Sequence, residues 1–192
     1  MKALPTLIIL ALLATTARSA PDRTREVRLA AKTPWETVAV VRKGPRKGPV
    51  VVIVGGVHGN EAAGWRAARQ IRHWPIVRGT LVIIPRANRA GIEKFRRTVP
   101  EGKGYDLNRQ FPSKKGTPVK GALAKPIWDL VSKLEPDWLI DLHESVDYRY
   151  RSTEERKHLG NTLIAYPSDE ALRVAGLMRD AASTIVTAKA KR

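Results

Sequence analysis

Residues 50–54 read VVVIV, five β-branched apolar side chains in a row. Branching at Cβ stiffens the side chain and favours extended backbone. Apolar groups on both faces of a strand require cover on both faces. Such a strand calls for a layered fold, with helices above and below a sheet. Two comparable runs follow, TLVII at residues 80–84 and DWLIDLH at residues 137–143. Between them, residues 60–73 place Ala63, Ala67 and Ile71 at helical spacing, and residues 124–134 predict a helix with Pro126 in its first turn. Residues 26–31 and 37–42 alternate as two further strands around a turn near Pro34. Residues 161–165 predict another strand and residues 169–186 a final amphipathic helix. Residues 86–122 are rich in Arg, Lys, Gly and Pro and have little regular period; long loops of this kind in a compact domain are usually functional. Strand, helix, strand, helix, strand predicts an α/β sheet with helices on both faces.

The first twenty residues, MKALPTLIILALLATTARSA, stand apart. Lys2 opens them, an apolar run follows, and Ala17 and Ser19 are spaced for cleavage. This is the pattern of a signal peptide and predicts export, periplasmic or secreted, with one domain over residues 21–192. The chain is 43% hydrophobic and 28% charged, a globular balance. It has no cysteine, so any metal must be held by His, Asp or Glu. The formal charge of +17 favours anionic partners, an anionic cell-envelope surface among them. The bases are scattered, at Arg42, Lys47, Arg66, Arg86, Arg96, Lys115, Arg149 and Lys157, with no aromatic ladder between them. That is a solvated basic surface, and no nucleic-acid partner is expected.

Three stretches end strands or fill the loops after them: GGVHGNE, YDLNRQFP and DLHES. In open α/β sheets, ligands lie beyond the carboxyl ends of the strands. Gly55 and Gly56 allow a sharp turn that leaves His58 in a loop and Glu61 at the start of a helix, and His143 ends another strand. Two imidazoles and a carboxylate form the His₂Glu donor set of hydrolytic zinc sites. Singly, each residue has a plainer reading: an acid is favoured at a helix start, and a strand-end histidine can be structural. Of the four histidines, His73 and His158 lie in polar contexts and read as structural.

GGVHGNE, IPRA, YDLNRQFP and DLHES stand in the order and approximate spacing of the succinylglutamate desuccinylase/aspartoacylase family, within the wider zinc carboxypeptidase group, and the chain resembles that family over residues 50 to about 165. The resemblance implies a carboxypeptidase-like mixed sheet, one zinc ion, and hydrolysis of an amide next to a carboxylate. It implies His58, Glu61 and His143 as zinc ligands and Asp106 as acceptor of a hydrogen bond from His58. It implies Asn108 and Arg109 as binders of a substrate carboxylate, which a planar guanidinium grips in two-point fashion. Arg86 would stabilise the oxyanion.

The expectation is a zinc-dependent amide hydrolase, deacylase or carboxypeptidase in type, acting on a carboxylate-bearing N-acyl amino acid or small peptide. The alternative is a non-catalytic zinc module of the cell envelope that binds carboxylates or peptides. A basic nucleic-acid or membrane-surface protein would instead show binding that falls steeply with salt and ignores chelators. The general base is not identified. Glu144 adjoins His143, but neighbouring strand residues point to opposite faces unless the strand has ended. Asp147, Glu154, Glu155, Asp169, Glu170 and Asp180 are not in a buried strand. In the resembled family the base lies farther along the chain, so a catalytic domain lacking its C-terminal part, with zinc binding retained and hydrolysis weak, is expected.

Overall fold

A computed structural model describes residues 23–101, 103–114, 116–145, 151–152, 157–158 and 163–190. The first twenty residues, Lys115, Arg149 and the acids Asp147, Glu154 and Glu155 lie outside the described residues. The chain divides into one compact unit up to Leu142 and a second from His143 onward.

The first unit is a five-stranded mixed sheet in the order β1-β2-β4-β3-β5. β1 (Arg23–Leu29) pairs antiparallel with β2 (Thr37–Lys43), and β2 antiparallel with β4 (Thr80–Ile84). β3 (Val50–Gly55) runs parallel between β4 and β5 (Trp138–Leu142). Side-chain alternation along β3 and β4 sends Val52, Val54, Val82 and Ile84 to one face and Ile53 and Ile83 to the other. α3 (Ala124–Leu134) covers the first face through Ala124 and Ile127, and α1 (Ala62–Ile71) covers the second through Ala68 and Ile71. The expected helices on both faces are therefore present.

Three expectations need correction. α1 buries Gly64 and Ala68, not Ala63, which is exposed, or Ala67. The approach there is close: a Cβ on Gly55 would come within 2.7 Å of Ala68 Cβ and 2.8 Å of the Gly64 carbonyl oxygen, so the helix packs on β3 at a distance that only glycine at position 55 allows. β5 is not a buried strand. Among the described residues it is an edge strand of the sheet, and Leu139 is 55% exposed. Residues 163–165 carry no strand, and residues 161–162 lie outside the description.

The Arg- and Gly-rich stretch after β4 is anchored rather than slack. It holds a short helix α2 (Arg89–Glu93), a bridge between Val99 and Tyr105, and a 3₁₀ turn at Leu107–Arg109. Val99, Leu107 and Leu123 are fully buried in the larger core and pin it at three points.

In the second unit β6 (Arg151–Ser152) pairs antiparallel with β7 (Lys157–His158). α4 (Asp169–Ala190) starts behind Ser168, whose hydroxyl accepts from the Ala171 N–H. Its side chains Leu172, Leu177 and Ile185 are exposed. Among the described residues no helix is long and apolar enough to cross a membrane.

Candidate functional site

The connection from β3 to β4 carries α1 on one face; the connection from β4 to β5 carries α3 on the other. β4 and β5 flank β3, so these two successive connections run in opposite directions across the sheet and over opposite faces. Such a switch point opens a crevice at the strand end. The sheet hydrogen bonding continues past the strands, with the N–H groups of Ala87 and Asn88 donating to Gly55 and Gly56 carbonyls at 2.9 Å each. Gly56 has φ +74°, and a Cβ there would meet Ile92 and Trp65. That left-handed residue turns the backbone out of β3 into the loop that holds His58.

His58 is only 2% exposed. Its Nδ1 lies 2.7 Å from Glu61 Oε1, and its Nε2 lies 2.9 Å from Asp106 Oδ1. Glu61 stands at the N-cap of α1 yet makes no side-chain cap to that helix; its carboxylate is turned to His58 and Arg97 instead. Asp106 starts the 3₁₀ turn, and its Oδ1 accepts from the Asn108 N–H at 2.9 Å. Arg97 donates from Nη1 to Glu61 Oε1 at 3.0 Å and from Nε to Asp106 Oδ2 at 3.3 Å. No local signal separates Arg97 from its neighbour Arg96, and the sequence reading passed over it.

Two carboxylates facing one imidazole make a demand on charge. A neutral ring can donate from one nitrogen only. With Nε2–H donating to Asp106, the Nδ1 lone pair would face a carboxylate oxygen at 2.7 Å. That contact is favourable only with a cation, a proton or a metal ion, shared between His58 Nδ1 and Glu61. The donor chemistry therefore fits a metal, with Asp106 fixing the ring from behind as carboxylate–histidine–metal arrangements do.

The other predicted residues fall as follows. Asn108 and the exposed Arg109 belong to the 3₁₀ turn begun by Asp106. Arg86 follows β4, and its guanidinium lies 3.5 Å from Glu93. Leu142, the last residue of β5, pairs with Gly55, and His143 and Glu144 come next in the chain. The strand ends before both, so strand alternation does not separate His143 from Glu144. His73 accepts from Arg72 Nε at 2.9 Å, away from the crevice residues. The side chain of His158 lies outside the description.

The sequence matches the succinylglutamate desuccinylase/aspartoacylase catalytic domain over residues 47–185. The chain belongs to the succinylglutamate desuccinylase/aspartoacylase family. It is 35% identical over 112 residues to an N-alpha-acetyl-L-2,4-diaminobutyric acid deacetylase of Halomonas elongata, a match that covers 55% of this chain and 31% of that protein. An aspartoacylase family protein of Mesorhizobium loti superposes with a TM-score of 0.52 at 27% identity, over 64% of this chain and 40% of that one. Bovine thrombin-activatable fibrinolysis inhibitor superposes with a TM-score of 0.53 at 14% identity, over 69% and 60%. At that identity the likeness is one of fold, and it places the desuccinylase/aspartoacylase sheet among carboxypeptidase-like folds. The chain spans less than half the length of the first two relatives.

One pH effect follows from the cluster. Burial alone pushes the Asp106 carboxyl up, but the His58 hydrogen bond and charge, the Asn108 N–H and Arg97 outweigh it and hold the group below its ordinary value. A depressed folded-state pKa adds stability that is complete above the unfolded value and is lost as pH falls through the folded one. Stability should thus decline below about pH 4, and Asp106→Asn should flatten that acid limb. Urea unfolding of both forms across the acid range checks this; parallel limbs would contradict it.

Proposed function

We propose that this family member is a zinc-dependent amide hydrolase of deacylase type. We further propose that it acts on a small N-acyl amino acid bearing a free carboxylate. The observation that carries the reading is His58, buried at the sheet's switch point between the carboxylates of Glu61 and Asp106. Family membership and the relative named as a deacetylase support the amide-cleaving chemistry. We assign the metal to His58 and Glu61, with His143 as the third ligand, the set that the family's motifs imply. Bound there, zinc would act as a Lewis acid on a carbonyl and lower the pKa of water toward about 7.

The chain's own residues have separate tasks in this reading. Asp106 holds the Nε2–H of His58, so that Nδ1 faces Glu61. Arg109 takes the substrate carboxylate, with Asn108 beside it. Of the arginines proposed or found nearby, Arg97 touches the donor Glu61 while Arg86 pairs with Glu93, so charge developing on the carbonyl oxygen falls first to Arg97. The first twenty residues support export, and mass analysis of the secreted or periplasmic form for loss of that segment tests it.

The test of the function is metal analysis of the purified chain together with a screen of N-acyl amino acids and their amides. Stoichiometric zinc and preference for free acids are expected. Arg109→Lys should raise KM by about tenfold or more with little change in kcat, since a point charge does not replace the two-point fork. Equal processing of a substrate and its amide would refute the assignment of Arg109.

A further inference from the structure

We infer that Asn88 and Gly91 are positioning residues for the His58 loop. The inference rests on the metal assignment above only for its zinc readout. Asn88 is fully buried. Its side-chain oxygen accepts from the Gly91 N–H at 2.9 Å, while its Nδ2 has no hydrogen-bond partner among the described residues. Acceptance from Gly91 settles which amide atom is the oxygen. Leaving a buried amide donor unpaired is costly, and such a group in a folded protein calls for an explanation.

The packing around it supplies one. A Cβ on Gly59, the residue after His58, would stand 2.2 Å from the carbonyl carbon of Gly91 and 2.4 Å from Ile92 N. A Cβ on Gly91 would stand 2.3 Å from Asn88 Nδ2 and 2.6 Å from its Cγ. The Asn88 amide, the Gly91 backbone and the Gly59 backbone are thus stacked in contact, with no room for a methyl group at either glycine. The Asn88 main chain grips the same loop two residues before His58, through its N–H to the Gly56 carbonyl at 2.9 Å. The loop is thus held at Gly56 by Asn88 and packed at Gly59 against Gly91, whose N–H the Asn88 side chain holds. A larger or apolar side chain at position 88 could not both fill this slot and hold the Gly91 N–H, so the unpaired donor is the cost of a rigid wedge. The wedge sets how far His58 stands above the sheet, and hence its distances to Glu61 and Asp106. Metal sites tolerate displacements of only a few tenths of an ångström.

The experiment uses the whole chain with Gly59→Ala, Gly91→Ala and Asn88→Ala, and Gly176→Ala as control, where a Cβ meets nothing within 4 Å. Zinc affinity is read by competition with a chromophoric chelator. The His58 ring resonances of the metal-free protein are read by ¹H–¹⁵N correlation. Gly59→Ala, Gly91→Ala and Asn88→Ala are expected to weaken zinc at least tenfold and to shift the His58 resonances while the melting transition persists; Gly176→Ala should do neither. If Gly59→Ala unfolds the chain, Asn88→Ala and the milder Asn88→Ser carry the same expectation. Failure of the unaltered chain to bind zinc would overturn the metal assignment, and the His58 resonances would still decide the wedge. Folded Asn88→Ala and Gly59→Ala with unshifted His58 resonances would overturn the wedge, whatever the metal does.

Discussion

Replacing His58 with alanine is expected to abolish zinc binding, not merely to weaken it, with affinity falling by at least a hundredfold. Its imidazole faces both Glu61 and Asp106, at 2.7 Å and 2.9 Å. Without it a ligand is lost, and Asp106 no longer has an imidazole to orient. The two carboxylates are left to Arg97, which reaches both. A negative pocket bridged by one exposed guanidinium is a poor site for zinc, which prefers nitrogen and sulfur donors to carboxylates alone. Metal analysis after dialysis, with His73→Ala as a matched control, checks the result. His58→Ala that keeps stoichiometric zinc would remove the basis of the proposed function. Asp106→Asn should fall between the two, with zinc retained but bound about 10–100-fold less tightly, the usual effect of removing the partner of a ligating histidine.

The largest effect on stability is expected at the centre of the sheet. β4 is the middle strand, with Ile83 on the α1 face and Ile84 on the α3 face, and both are fully buried. Ile84→Ala should cost about 2–5 kcal/mol, the removed methyl groups and the cavity both contributing. For a chain with the usual total of about 5–15 kcal/mol, that is a large share. Urea unfolding should show a lower midpoint with an unchanged slope. Leu139→Ala on the exposed side of β5 should cost less than about 1 kcal/mol, because exposed positions away from buried networks tolerate truncation. Equal losses at the two positions would contradict the burial of β4 and the edge position of β5.

The sequence by itself determined the layered α/β class. β-branched runs and helical spacing are local properties, and backbone preference and apolar periodicity act within a few residues. β4 and α3 occupy the very residues their patterns predict, at Thr80–Ile84 and Ala124–Leu134. The motifs around His58, Glu61 and Asp106 were legible for a similar reason, since glycines before a histidine and an acid at a helix start are visible in short windows. Strand order was decided elsewhere. WLIDL is as apolar as TLVII, yet β5 lies at an edge among the described residues and β4 at the centre, because the number of neighbours a strand has is set by the whole sheet. The buried face of α1 was likewise decided in the fold, where Gly64 and Ala68 close on Gly55 of β3. Arg97 shows the limit most plainly. It sits among many similar arginines, and only the fold carries it across 36 residues to Glu61, just as only the fold carries Asp106 across 48 residues to His58. Contacts at that separation follow from packing of the intervening chain on a buried core, and no short stretch of sequence contains them.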